Sequence, residues 1–186
     1  LGPSGALPRQ APLAAAAADG FAGVEMFAPY AHEPAWYANA LHSHGLQLVL
    51  FNTPIGPAPG HRGLAAVAGQ EAGFRRGFAR ALEVAQATGC SHIHVMAGNT
   101  LGLDPEACRE TLLENLAHAL PQAERQGRVL TLEALNRIDM AGYFYYLPSQ
   151  AIDIVRHFDS PHLRLQFDYY HCAQEGLDLR AAVREA

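Results

Sequence analysis

A chain of 186 residues, 49% apolar and 17% charged, can build one domain with a real core or part of a larger one, and its composition excludes disorder. A formal net charge of −5 argues against a nucleic-acid partner, which demands a basic face, and no basic run restores that reading. Cys90, Cys108 and Cys172 are odd in number and form no CxxC pair, so neither a disulfide framework nor a zinc ribbon is expected and a reducing cytoplasm is the default.

Residues 1–11 are rich in Pro and Gly, lack periodicity and do not begin with Met; they read as a disordered arm ahead of one α/β domain over 12–186. The single Arg9 leads into no apolar stretch, so no secretory signal is expected, and no run approaches the ~20 apolar residues that span a bilayer. Leu13 to Asp19 is Ala-dense and closed by Gly20, a helix with its C-terminal cap. Gly23 to Phe27 reads as a short strand. Pro34 opens a helix to about Ser43, stopped by Gly45, and Leu46 to Phe51 is a buried strand with Asn52 at its end. The long loop Thr53 to Ala68 contains His61 and Arg62, and loops of more than ~12 residues tend to be functional or disordered.

Phe74, Phe78, Ala81, Leu82 and Ala85 fall at helical spacing within Gln70 to Thr88. His92 to Ala97 reads as a strand. Asp104-Pro105 opens a helix striped by Leu112, Leu116 and Leu120, which Pro121 is expected to kink or end. Val129 to Leu135 is an apolar strand, and the loop to Leu147 carries four aromatics, most simply packed against the helix layer. Ser149 is the expected N-cap of the next helix. Leu163 to Asp168 is a further strand, and Asp178 caps a last helix that continues to Ala186.

Five strands beginning near Ala22, Leu46, His92, Val129 and Leu163 alternate with helices, which specifies a parallel sheet with right-handed crossovers. An open doubly wound sheet and a barrel both fit. No strand runs into GxGxxG, and the glycines at 56, 60 and 63 sit in a proline-studded loop, so the dinucleotide fingerprint is absent.

Glu133 ends a strand where an unpaired carboxylate is costly, so it is paired, hydrogen-bonded or metal-bound. An ion pair with an arginine accounts for it equally well when it is taken alone. Asp168 ends the next strand, and parallel α/β folds collect their ligands at strand C-termini. Glu25, Asn52, Glu133, Asn136, Asp168 and His171 therefore form the candidate cluster, an oxygen-rich set suited to Mg²⁺ or Mn²⁺. His92 and His94 are placed toward the start of their strand, away from that cluster, and are read as structural. His42 and His44 sit at a helix C-terminus, where imidazolium offsets the dipole. No Gly-x-Ser-x-Gly elbow supports nucleophilic catalysis.

Gly-Phe-Ala-Gly-Val-Glu at 20–25, Leu-Phe-Asn-Thr-Pro at 50–54, Arg62-Gly63, Ile-His-Val-Met-Ala-Gly at 93–98, Leu-Glu-Asn-Leu at 113–116, Leu-Glu-Ala-Leu-Asn at 132–136 and Gln-Phe-Asp-Tyr-Tyr-His at 166–171 follow one another in an order that resembles the hydroxypyruvate isomerase family of xylose-isomerase-like TIM barrels. The resemblance implies a TIM (β/α)8 barrel with about five of eight strands present. The first strand would be without counterpart and the last, with a further ligand and a second catalytic Glu, would lie beyond Ala186. It implies Glu133 as catalytic acid/base and metal ligand, Asp168 as second metal ligand, and Asn52, Arg62, His171 and Glu25 as substrate-binding residues. Ala134 departs from the family's usual Pro after the catalytic Glu.

The activity implied is interconversion of hydroxypyruvate and 2-hydroxy-3-oxopropanoate through an enediolate, assisted by Mg²⁺ or Mn²⁺. The alternatives are a related sugar-acid isomerase or epimerase, such as a 2-oxo-tetronate isomerase, and a non-catalytic truncated member. A small hydroxy or oxo acid is the expected partner, with no nucleic acid and no membrane, and a homo-oligomer is left open.

Overall fold

Short runs of Val, Leu and Ile between amphipathic helices produce a five-stranded parallel sheet. The computed structural model describes residues 11–186, so the arm expected at 1–11 lies outside the described residues except for Ala11, which opens a helix. The elements are α1 (Ala11–Ala18), β1 (Gly23–Met26), α2 (Pro34–Ser43), β2 (Gln47–Asn52), α3 (Glu71–Thr88), β3 (His92–His94), α4 (Pro105–Arg125), β4 (Val129–Glu133), α5 (Pro148–Phe158), β5 (Leu163–Gln166), α6 (Tyr169–Gln174) and α7 (Leu179–Glu185). The sheet order is β1-β2-β3-β4-β5, all parallel. A doubly wound sheet reverses its order at a switch point. This sheet does not, and it forms the wall of an incomplete (β/α)8 barrel of the xylose-isomerase-like type.

The wall curls. Burial, and next the charge of Asp168 just past β5, raise the pKa of Glu25 on β1. In a flat sheet those edges would stand roughly 19 Å apart, four inter-strand spacings. A register shift between Val24 and Glu25 sets Glu25 level with Leu50.

Side chains alternate across the wall. Phe51, Ile93, Leu130, Leu132 and Leu163 are fully buried in the core, with Phe74, Phe78 and Leu82 of α3, Leu112 and Leu116 of α4 and Ile154 of α5. Each such side chain contributes about 1.5–3 kcal/mol of burial. The intervening positions Asn52, His94, Thr131, Glu133 and Gln166 are thereby turned to the opposite, barrel-interior face.

Two local expectations are corrected and one is narrowed. Of the two outcomes expected at Pro121, the helix does not end there, and α4 runs through to Arg125. Pro121 and Ala117, whose carbonyl loses its helical partner, both lie on the exposed face, where water substitutes, while Ala123 continues the buried stripe. Helix α5 begins one residue before Ser149, at Pro148, because Gln150 reaches back to accept hydrogen bonds from the N–H groups of Tyr146 and Leu147. The ladder of β3 stops at His94 rather than Ala97.

Past Val95, whose N–H still bonds to Thr131 O, the chain bonds to the Thr53–Ala68 loop, through Ala65 N–H to Met96 O and Ala66 N–H to Ala97 O. Gly63 makes this approach possible. Its φ is +114°, and a Cβ there would meet the Met96 carbonyl oxygen at 2.2 Å. The loop is thus pinned onto the strand ends.

Candidate active site

Glu133 leaves β4 on the interior face, with its side chain only 12% exposed. Donors on both neighbouring strands reach it. His94 Nδ1 on β3 lies 3.5 Å from Glu133 Oε2, and the Gln166 amide on β5 approaches the carboxylate and acts to lower its pKa. The Thr131 hydroxyl donates to Gln166 Oε1 at 2.9 Å, which turns the amide nitrogen toward Glu133. Burial, and next the charge of Asp168, push the Glu133 carboxyl up to about 7.

Asp168 caps α6, a short helix absent from the sequence reading. Its Oδ1 accepts from the N–H groups of Tyr170 at 2.6 Å and His171 at 3.3 Å. That first turn swings His171 back toward β4, where its Nδ1 accepts from Asn136 N–H at 3.1 Å and Asn136 Nδ2 at 2.8 Å. Ligand atoms of Glu133, Asp168 and His171 all lie within 4.8 Å of one another. Two crowded carboxylates and one imidazole form a cluster able to chelate a metal ion, and a cation there would offset the repulsion that raises Glu133.

The other candidates divide. Asn52 is buried at the end of β2, its Oδ1 3.1 Å from His94 Nδ1 and its carbonyl accepting from the Tyr30 hydroxyl at 2.5 Å. Glu25 is exposed on β1, yet electrostatically joined to Asp168 and Glu133; burial and then Asp168 raise its pKa. Arg62 has a left-handed backbone (φ 52°), and its guanidinium meets the sulfur of Met140, so it bridges to the loop after β4. Tyr143 and Tyr145 are buried, as the packing reading of the aromatic loop expects.

His92 is exposed, paired with Ser91 and away from the cluster as expected, whereas His94, also expected away from it, lies beside Asn52 and Glu133. Because β3 pairs only over three residues, His94 ends the strand instead of beginning it, and the register sets it beside Asn52 and Thr131. Burial, and next His171, lower its pKa to about 3, so the ring is neutral. Gln166 and Thr131 were also missed. Polar residues alternating with leucine in a strand were their one sequence signal.

A curled parallel wall with carboxylates gathered at successive strand ends defines the class of TIM-barrel enzymes that work at the C-terminal face. The sequence model of the xylose isomerase-like TIM barrel family matches residues 13–185, and the chain belongs to that family. It is 45% identical over 162 residues to a 2-oxo-tetronate isomerase of Cupriavidus necator, covering 86% of this chain and 62% of that protein. It is 40% identical over 178 residues to a Homo sapiens protein provisionally named hydroxypyruvate isomerase, covering 92% of this chain and 64% of that one. The chain thus spans less than two thirds of the length of these relatives. Among solved structures, one described as AP endonuclease, family 2, from Brucella melitensis superposes with a TM-score of 0.92 at 37% identity, covering 96% of this chain and 70% of that one.

Proposed function

We propose that this chain carries the proton-transfer half of an isomerase of small sugar acids, with 2-oxo-tetronate as leading substrate and hydroxypyruvate second. The observation that carries the reading is Glu133, a largely buried carboxyl raised to about 7 beside Asp168 at the strand ends. A general base is most effective when its pKa lies near the working pH. Hydroxypyruvate, the leading substrate in the sequence reading, takes second place because the 2-oxo-tetronate isomerase of C. necator is the more similar of the two relatives compared.

In this reading Glu133 removes the proton from the hydroxyl-bearing carbon next to the oxo group and returns it to the neighbouring carbon. The hydroxyl proton passes between the two oxygens of the enediolate. Glu133 and Asp168 would hold Mg²⁺ or Mn²⁺, which supplies charge neutralisation for the developing enediolate oxygens. His171, whose Nδ1 lone pair is taken by Asn136, presents Nε2–H as a donor to a substrate oxygen. Asn52 keeps its amide nitrogen for substrate, Arg62 is the cation for the substrate carboxylate, and Glu25 lines the far wall.

The endonuclease name of the Brucella neighbour suggests a phosphodiester reading. A net charge of −5 opposes it, since DNA affinity rests on cationic contacts to phosphates. The cytoplasm is the proposed location, supported by three buried free cysteines. Among the described residues no helix is long and apolar enough to cross a membrane.

The test is isomerisation of 2-oxo-tetronate and hydroxypyruvate with and without Mn²⁺, beside Glu133→Gln. Turnover favouring 2-oxo-tetronate and lost in the variant is expected. Equal turnover by Glu133→Gln overturns the reading.

A further inference from the structure

His94 is 1% exposed. Its Nδ1 faces two acceptors, Asn52 Oδ1 at 3.1 Å and Glu133 Oε2 at 3.5 Å. Its Nε2 is buried and meets no hydrogen-bond partner among the described residues. A proton on Nε2 would strand a donor out of reach of any acceptor and leave the Nδ1 lone pair pointing at two oxygens. A proton on Nδ1 removes both penalties, because a bare lone pair is a cheaper orphan than an N–H. The ring therefore donates through Nδ1 alone, and its entire polar capacity is spent on Asn52 and Glu133. On the other side of Glu133, Thr131 orients the Gln166 amide.

We propose that His94 is a positioning residue for Glu133: its Nδ1–H, shared with Asn52, fixes the direction of the Glu133 carboxylate from β3 as the Gln166 amide does from β5. This rests on Glu133 being the acid/base and metal ligand of the site. A carboxylate gripped by both neighbouring strands keeps one geometry toward the ion and the substrate, and loss of such outer partners typically lowers metal affinity about 10–100-fold.

The test is Mn²⁺ titration of the 186-residue chain, followed by electron paramagnetic resonance, for wild type, Glu133→Gln, His94→Leu and His94→Asn. Glu133→Gln is expected to lose the bound signal. His94→Leu should weaken binding about 10–100-fold. His94→Asn, whose amide nitrogen stands where Nδ1 was, should remain close to wild type. Wild-type affinity in His94→Leu beside a failing Glu133→Gln overturns the positioning role and leaves the metal site standing. His94→Asn as weak as His94→Leu also overturns it, since ring packing would then be the cause. Unchanged binding by Glu133→Gln overturns the site itself. Nitrogen-15 spectra of the wild-type chain decide the matter should His94→Leu not fold: an unprotonated Nε2 is expected, and a protonated one refutes the proposal.

Discussion

Asn136 holds the ring of His171 in one orientation. Its Oδ1 accepts from the N–H groups of Ile138 at 3.0 Å and Asp139 at 2.9 Å, which fixes the amide, so Nδ2 must be the group that meets His171 Nδ1 at 2.8 Å. Asp139 in turn accepts from the Tyr170 hydroxyl at 2.6 Å. The loop after β4 and helix α6 after β5 are therefore one hydrogen-bonded unit.

Asn136 is fully buried, so Asn136→Ala strands the Ile138 and Asp139 N–H groups and leaves the His171 lone pair with the backbone N–H of residue 136 alone. A cost of about 1–3 kcal/mol is expected in urea unfolding. A shift within ~0.5 kcal/mol, the range of ordinary surface substitutions, would show that the network contributes little.

Two buried groups give the metal-free chain opposing pH slopes. Glu133 rises from 4.5 to about 7 on folding, so the folded chain holds that proton more tightly and stability falls as pH climbs from 4.5 to about 7. His94 drops from 6.5 to about 3, so the unfolded chain takes up its proton first and stability falls as pH descends from 6.5 toward 3. The two offset each other between 4.5 and 6.5, and above 6.5 the loss through Glu133 exceeds the last of the gain through His94. In EDTA, stability should fall by about 0.5 kcal/mol from pH 6.5 to 8. Glu133→Gln should flatten that decline, and the same slope in the variant would remove Glu133 as its cause.

Asp168 has two separable roles, a helix cap and a member of the acidic cluster. Asn caps as well as Asp, so Asp168→Asn should melt near wild type while losing Mn²⁺ affinity; Asp168→Ala should lose affinity and about 1 kcal/mol besides. Calorimetric titration and thermal melts read the two effects apart. Undiminished Mn²⁺ binding by Asp168→Asn would take Asp168 out of the ligand set.

Gly63→Ala forces a methyl group against the Met96 carbonyl and adds a left-handed residue to the loop. A loss of about 1–3 kcal/mol is expected, together with faster amide exchange at Ala65 and Ala66, which bond to Met96 and Ala97. Unchanged exchange there would show that the loop accommodates a side chain.

The sequence by itself determined the alternation of elements and the two acids. Phe74, Phe78 and Leu82 repeat at helical spacing, Leu130 and Leu132 alternate with polar neighbours, and Asp104 and Asp178 cap where caps belong; these are local signals set by chain geometry. Glu133 and Asp168 were legible because a carboxylate at the end of an apolar run is costly enough to need a reason. Only tertiary structure decided what surrounds them. His94 joins Glu133 through the β3–β4 register and the early end of the β3 ladder, and a one-residue slip would turn it to the other face. Glu25 feels the charge of Asp168 because the sheet curls, and His171 faces Asn136 because Asp168 starts a short helix. Pairing and curvature across 30 or more residues depend on how segments pack against one another, and no local window contains that information.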